Sequence, residues 1–313
     1  MGKRGPKRGS RAFWHRGRAR RIVPRMRDWG VAEKGAKGFL GYKAGMLSVT
    51  MTDDRETPTK GQEIVRACTV IEVPPAFIYS IIAFKSTPYG LKTFAEIPVQ
   101  NAPKELKRRM TVSKKARLTV EQLGQQLADV VEIRLTACTQ PKRIRGVGKK
   151  EPDLFEVALG GDVPAQFEYA KSVLGKELKF SDVFQEGETV DAVAVTKGKG
   201  WQGVVKRYGV SLNIRKATKS RRHGGSIGPE RQGKVMYTIP RAGQMGFHRR
   251  TDEHKRLLKH GADLGTKEFK RYGFVKNDYV IVDGSVPGPA KRVVMLHKRV
   301  AKTPVKKVEV KVI

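Results

Sequence analysis

Three apolar runs near the start of the chain decide its fold: GFLGYKAGMLSVTM (residues 38–51), VRACTVIEV (65–73) and AFIYSIIAF (76–84). The end of the first run alternates between apolar and hydroxyl side chains, as a half-buried strand does. The second and third runs are rich in β-branched and aromatic residues, and Pro74-Pro75, a dipeptide typical of turns, separates them. These patterns predict a mainly β fold.

Strand signals return late in the chain, and a segment of mixed α/β character lies between. Strand patterns recur at 189–196, 279–282 and 292–296. In the middle, a capping box at 119–122 opens a helix toward Ala128, a strand is expected at 131–138, and a helix at 164–174 ends before Gly175. We therefore divide the chain into an N-terminal arm (1–36), a first β segment (37–85), an α/β insertion (86–187) and a second β segment (188–313).

Positive charge is concentrated in two parts of the chain. The 313 residues include 64 Lys and Arg against 30 Asp and Glu, a formal net charge of +34. Residues 1–30 carry +10 and residues 197–256 carry +13, while ten acidic residues lie within 151–191. Because such an excess repels itself in a compact state, we expect a polyanionic partner. The first block has too few aliphatic residues for a core of its own and is expected to be a basic arm.

Several classes of protein are disfavoured. Cys68 and Cys138 lie far apart and form neither a disulfide framework nor a metal-binding pair, and no histidine has metal-ligand spacing. The basic N-terminus leads into no apolar segment, which argues against a secretory signal. The most apolar stretch, 71–84, is interrupted by Glu72, Pro74 and Pro75 and is too short to span a bilayer. We expect a soluble cytoplasmic protein with no membrane partner and no metal.

Two glycine motifs resemble nucleotide-binding loops, and both fail on context. GKGWQG (198–203) matches the dinucleotide fingerprint, but the next residues, 204–209, are strand-like, and no acidic residue occurs between Asp191 and Glu230. GPERQGK (228–234) has Val235 where a phosphate-binding loop needs Ser or Thr for magnesium. Because no nucleophile elbow is present either, we predict no catalysis, no cofactor and no small-molecule substrate.

The long basic loop at 197–256 has a composition suited to folded RNA. Its glycines permit close backbone approach, its arginines match phosphates and stack on bases, and Trp201, Tyr208, Tyr237 and Phe247 offer faces for unstacked bases. Ordinary core packing is the alternative for these aromatic residues, and for Tyr237 it is the favoured one. In the arm, Phe13, Trp14 and His15 are interleaved with arginine in the same way.

The chain resembles the large-subunit ribosomal protein L3 family, archaeal type. The motifs that carry the resemblance are GFLGYKAGM (38–46), TPYG (87–90), TKGKG (196–200), GVVKRYG (203–209), AGQMGFHRRT (242–251) and GSVPGP (284–289). The resemblance implies a translation-protein-type β-barrel with an α/β insertion, a long basic loop and an extended arm. It also implies large-subunit (23S-type) rRNA and neighbouring large-subunit ribosomal proteins as partners, an early role in assembly, and a loop that supports the peptidyl-transferase region without doing chemistry.

The expected RNA-binding set consists of lysines and arginines that neutralise phosphates and of polar or aromatic residues that contact bases. The set comprises Arg16, Arg18, Arg20, Arg21, Lys197, Lys199, Trp201, Lys206, Arg207, Tyr208, Arg221, Arg222, His223, Arg241, Gln244, His248, Arg249 and Arg250. A DNA-binding protein would need a recognition helix or a wedge for a groove, and an RNA-modifying enzyme would need a cofactor pocket; the sequence indicates neither.

Overall fold

The computed structural model describes residues 15–26, 29, 34–112, 118–216, 220–228, 233–265, 267–298, 305 and 307–313. The chain divides into two compact units. The first unit comprises the described residues of Met1–Arg20 and Thr196–Arg249, and the second unit those of Arg21–Val195 and Arg250–Ile313. The structure is mainly β, which confirms the predicted fold class.

Most strands belong to the second unit. In chain order they are β1 (Gly35–Ala36), β2 (Gly38–Thr52), β3 (Glu63–Glu72), β4 (Ala76–Thr87), β5 (Gly90–Pro98), β6 (Glu132–Cys138), β7 (Leu154–Gly160), β8 (Glu177–Leu178), β9 (Thr189–Val195), β10 (Trp201–Gln202), β11 (Gly243–Gln244), β12 (Arg249–Gly261), β13 (Glu268–Phe269), β14 (Gly273–Phe274), β15 (Tyr279–Asp283), β16 (Val293–Lys298) and β17 (Val310–Val312).

The helices are short and few among the described residues. They are α1 (Val120–Gln125), α2 (Val163–Val173) and α3 (Val204–Tyr208), with single 3₁₀ turns at Lys104–Arg108, Leu127–Asp129, Pro141–Arg143 and Phe180–Asp182. At α1 the predicted capping box is present, with Thr119 and Gln122 bonding reciprocally. The end of α2 also follows prediction, because Gly175 adopts the left-handed φ of 74° that stops a helix.

Seven strands form sheet 1, in the order β16-β9-β12-β15-β3-β2-β17. All of the registered pairs are antiparallel, and Val70 of β3 faces Ile281 of β15. Strand β16 also pairs with β2, where Met295 faces Leu40, so the strand order leads from β2 back to β16. The apolar run at 38–51 therefore forms the strand that pairs with β3, β16 and β17.

Burial along β2 explains why the run at 38–51 alternates between apolar and polar residues only near its end. Its first seven residues, 38–44, are all buried; β16 pairs with residues 38–42, and β3 pairs with the strand from Tyr42 onward. From Leu47 onward, buried and exposed residues alternate as predicted. Gly41 permits the close packing, because a Cβ at this position would lie 2.5 Å from Ile71 Cγ2.

Six further strands of the second unit build sheet 2, with the order β1-β7-β6-β4-β5 and β8 paired to β4, while β13 and β14 pair with each other. Helix α2 packs on it, and the Gln166 side chain accepts a hydrogen bond from the Ile133 amide at 2.9 Å. Strand β4 starts directly after Pro74-Pro75, so the change of sheet falls at this dipeptide, before residue 86. The domain limits given above stay a prediction.

Buried polar contacts join the two sheets within the second unit. The Tyr42 hydroxyl, on β2, donates to Asp153 at 2.9 Å and lies 2.8 Å from the Thr139 hydroxyl, and both partners flank strands of sheet 2. Tyr272, between β13 and β14, donates to Glu72 of β3 at 2.6 Å and so fixes that small hairpin on sheet 1. Because a buried polar group is costly without a partner, these bonds favour one arrangement of the sheets.

The motif at 284–289 has a structural role in the second unit. The Lys43 ammonium group is buried and donates to the carbonyl oxygens of Val286 (2.5 Å) and Gly288 (3.1 Å). Thr69 donates to the Gly284 carbonyl at 2.7 Å. Burial lowers the pKa of Lys43, since an ammonium group loses hydration in the core. The motif thus closes around a buried lysine.

Both cysteines are free thiols buried in the second unit. Burial raises the pKa of Cys68 to about 11 and that of Cys138 to about 12. At neutral pH neither is a thiolate, the form that attacks electrophiles or binds metals.

Three of the longer strands, β5, β7 and β12, were absent from the sequence predictions, as were the short strands β1, β8, β10, β11, β13, β14 and β17. Strand β7 lies in the acidic stretch at 151–191, and β12 takes up residues that we assigned to the basic loop, from Arg249 onward. Most of β12 is exposed on both faces, so it lacks the apolar alternation by which a strand is recognised. The basic loop therefore ends in a strand. None of the helices in the described ranges is long and apolar enough to cross a bilayer.

Candidate nucleic-acid interface

The first unit is basic throughout its described part. It holds fourteen lysines and arginines and no aspartate or glutamate. The basic residues are Arg16, Arg18, Arg20, Lys197, Lys199, Lys206, Arg207, Arg215, Lys216, Arg221, Arg222, Lys234, Arg241 and Arg249. The potential around this unit is therefore positive and attracts a polyanion.

A narrow backbone ladder brings the two ends of the basic loop together. Strands β10 and β11 pair antiparallel, with Trp201 facing Gln244. The ladder continues outside the strands, because the Lys199 amide donates to Met245 O at 3.0 Å and the Thr196 amide to His248 O at 2.9 Å. The residues between the ladder's two sides, 203–242, consequently form one continuous loop whose ends are held together.

Gly246 is required for this ladder. Its φ is 71°, and a Cβ added there would lie 2.1 Å from Lys197 O. Only glycine combines the left-handed conformation with so close an approach of two backbones. Phe247 also has positive φ, at 53°, which bends the chain immediately before it enters β12.

The expectation that residues 204–209 are strand-like is wrong. These residues form α3, a single helical segment with Gly203 at its N-cap and Gly209 following it at a φ of 71°. The β-branched Val204 and Val205 favour a strand locally, but the glycine-capped helix overrides that preference. The helix is only five residues long. No acidic residue occurs between Asp191 and Glu230 to bind a ribose, so the glycine motif at 198–203 still lacks the features of a dinucleotide-binding site.

Arg207 connects α3 to the opposite side of the ladder. Its Nε donates to Gln244 O at 3.1 Å and its Nη1 to Arg241 O at 2.8 Å. A Cβ on Gly243 would lie only 2.9 Å from that Nη1, so glycine makes room for the guanidinium. Arg207 was predicted to contact RNA; in the structure it braces the loop from within.

Tyr208 lies beside two guanidinium groups. The Cζ atoms of Arg16 and Arg207 are 5.0 and 5.1 Å from its ring centroid, within the range of cation–π attraction. The ring is half-buried. The arm residue Arg16 is thereby placed next to the loop.

The arm makes further contacts inside the first unit. The Ala19 amide donates to Phe247 O at 2.8 Å, and Arg18 lies over the Phe247 ring, 5.2 Å from its centroid. His248 is buried, and its Nδ1 lies 2.8 Å from the Gly17 carbonyl, so Nδ1 carries the proton and donates. Residues 16–19 and 247–248 thus form one local structure.

Most members of the predicted set are accessible to solvent. Those in the first unit are Arg18, Arg20, Lys197, Lys199, Trp201, Lys206, Arg221, Arg222, His223, Arg241 and Arg249. The Trp201 side chain is 76% exposed, and the Tyr237 side chain is 70% exposed, although core packing was the favoured expectation for Tyr237. Two accessible rings on a basic surface suit stacking on unpaired bases.

Two predicted residues lie elsewhere. Arg21 and Arg250 belong to the second unit, each directly following a predicted residue of the first unit, Arg20 and Arg249, in the chain. Phe13 and Trp14 lie outside the described residues, as do residues 229–232 of the second glycine motif. Gln244 is half-buried, and its Nε2 donates to Gly246 O at 3.0 Å, which supports the bend that Gly246 makes.

Sequence reasoning missed the structural importance of Gly246 and Phe247. Their signal was present as a glycine between bulky residues, but the partner that makes glycine necessary, Lys197, lies far away in the chain. Within the described ranges, no three histidine, cysteine, aspartate or glutamate side chains are arranged to hold a metal ion.

Comparison with known proteins gives one consistent result. The family model "Ribosomal protein L3" matches residues 1–312. The large ribosomal subunit protein uL3 of Methanothermobacter thermautotrophicus is 43% identical, with 94% of this chain and 91% of the relative covered. That of Archaeoglobus fulgidus is 45% identical, with 93% and 91% covered, and that of Methanopyrus kandleri is 44% identical, with 94% and 85% covered.

Proposed function

Because the chain belongs to the ribosomal protein L3 family of the large subunit, we propose that its first unit binds large-subunit (23S-type) rRNA. In this proposal the protein is a structural constituent of the cytoplasmic large subunit. It associates early in assembly, and its basic loop buttresses the peptidyl-transferase region without taking part in chemistry.

The observation that carries the proposal is the composition and build of the first unit. Fourteen cationic side chains surround a ladder that projects an exposed indole, and no carboxylate is present in the described residues to balance them. Phosphates can be neutralised along the unit with release of counterions, while Trp201 and Tyr237 receive bases. Backbone held by glycines allows the unit to approach a folded RNA closely.

The second unit supports a different part of the proposal. Its described residues include 36 Lys and Arg and 27 Asp and Glu, and several of these pair, for example Arg134 with Glu132 at 2.8 Å and Arg256 with Asp54 at 2.8 Å. A surface that carries both cations and carboxylates is better suited to contact with other proteins than to contact with a polyanion. We propose neighbouring large-subunit ribosomal proteins as the partners of the α/β insertion.

Sedimentation of a native lysate through a magnesium-containing gradient tests the function. The chain is expected to travel with the large-subunit peak in low salt and to leave it only when salt is high. A chain that stays at the top of the gradient in low salt would contradict the ribosomal role, and one that travels with DNA would favour a chromatin-type protein.

Lys206→Ala should lower the salt dependence of rRNA binding. Lys206 is exposed on α3, and losing one phosphate contact reduces the slope of log K against log salt by about 1. The measurement is filter binding of the full chain to large-subunit rRNA at several KCl concentrations. Lys171→Ala, an exposed lysine of α2, is the matched control. Equal slopes for Lys206→Ala and the parent would exclude a phosphate contact by Lys206.

A further inference from the structure

The hairpin of β4 and β5 in the second unit ends in a tight turn that carries a fully exposed tyrosine, Tyr89. Its turn is Thr87-Pro88-Tyr89-Gly90, with Thr87 paired to Gly90. Proline restricts one side of the turn, Gly90 takes a φ of 106°, and the Thr87 hydroxyl donates to Gly90 O at 2.6 Å. The turn therefore fixes the backbone at Tyr89 and leaves its side chain completely exposed.

Two lysines face one another just behind this tip. Lys85 and Lys92 are directly opposite in the β4–β5 register, and both are exposed. Like charges at directly opposed positions of an antiparallel pair destabilise it. Lys85 lies over the Phe94 ring at 5.7 Å, and residues 84–95 contain no carboxylate to separate the charges. Residues 84–95 therefore supply no anion of their own to this pair.

An exposed aromatic residue alone is ordinary on a protein surface, and so is a lone lysine. Their combination is specific in its chemistry. A phosphate placed between Lys85 and Lys92 relieves their repulsion. The ring of Tyr89, in the turn that follows Lys85, presents a face on which an unpaired base can stack. A carboxylate-bearing peptide would meet the charge but leave the exposed ring without a matching planar group.

We propose that the β4–β5 hairpin tip is a second nucleic-acid contact, separate from the arm and the basic loop. Lys85 and Lys92 hold one backbone phosphate of a single-stranded rRNA segment, and Tyr89 stacks on a neighbouring base. The identity of the ligand as rRNA rests on the function proposed above, whereas the location and chemistry of the contact rest on the hairpin.

The test uses the full chain and large-subunit rRNA transcribed in vitro, with filter binding across a KCl series. Tyr89→Ala should weaken binding about tenfold, the loss typical of one base–aromatic stack. Tyr89→Phe keeps the ring and should bind within about twofold of the parent. The double variant Lys85→Gln/Lys92→Gln should lower the salt slope by about 1, as expected for one phosphate.

Controls separate the hairpin from total charge and from folding. Lys171→Gln/Lys176→Gln removes the same charge from exposed positions on and after α2, and it should leave the slope unchanged. Because Tyr89 is fully exposed, Tyr89→Ala should keep the thermal unfolding midpoint of the parent. Loss of affinity with an unchanged midpoint supports a direct contact.

The outcomes distinguish this inference from the proposed function. If the parent chain does not bind rRNA, the proposed function itself fails. If the parent binds and all hairpin variants bind equally well, the hairpin contact is wrong and the role of the first unit stands. Variants that bind rRNA normally but lose a neighbouring protein from assembled subunits would show that the tip serves a protein partner, which also overturns the inference.

Discussion

Gly246→Ala is expected to weaken rRNA binding about 100-fold. The added methyl group would lie 2.1 Å from Lys197 O, and the residue would have to keep a φ of 71°. The left-handed conformation costs about 1–2 kcal/mol and the overlap at least as much again, so about 3 kcal/mol is needed to keep the ladder. That free energy corresponds to roughly a 100-fold change in an equilibrium constant.

Filter binding measures this loss, and native-state hydrogen exchange locates it. The amides of Lys199, Met245 and Phe247, which donate across the ladder, should exchange faster in the variant. Gly200→Ala is the matched control, because Gly200 has a similar φ of 65° but open space around its Cβ position. It should lose only about tenfold. Equal losses for the two variants would mean that the contact with Lys197 is unimportant.

Arg207→Ala should cost the first unit about 2–3 kcal/mol and weaken rRNA binding between tenfold and 100-fold. The variant loses two hydrogen bonds from a charged donor, to Gln244 O and Arg241 O, and such bonds contribute about 1.5–3 kcal/mol. It also loses the guanidinium beside Tyr208. Faster amide exchange on both sides of the ladder, together with filter binding, would report the loss.

Arg207→Lys distinguishes the effect of the Arg207 hydrogen bonds from the effect of its positive charge. Lysine keeps the positive charge but lacks the planar fork, so this variant should loosen the ladder nearly as much as alanine while keeping the parent's salt slope. Lys206→Ala should do the reverse, lowering the slope with a stable ladder. If Arg207→Lys has normal exchange and a normal slope, a point charge at position 207 is sufficient and the brace is not needed.

These paired predictions show where sequence reasoning about the interface stops. Lys206 and Arg207 are neighbours of the same charge, and composition assigns both to RNA. Only the structure separates them, because Arg207 turns toward carbonyl groups more than thirty residues away in the chain. The same holds for Tyr208, whose guanidinium neighbours include Arg16 of the distant arm.

Local elements were predictable where the signal was itself local. The α1 capping box, the end of α2 at Gly175 and the alternation in β2 depend on residues within a few positions of one another. Predictions failed where distant contacts compensate for a weak or opposed local preference. The helix α3 forms despite its β-branched residues, and β12 forms with almost no apolar alternation.

Charge distribution, strand periodicity and the family motifs could be read from the chain alone, since each is a property of the order of residues. They were sufficient for a mainly β protein of the ribosomal protein L3 family with a basic arm and loop. The close approach at Gly246, the brace of Arg207 and the facing pair of Lys85 and Lys92 required the folded chain. Each is a relation between atoms of different segments, and strand register and backbone approach are set by packing rather than by local preference.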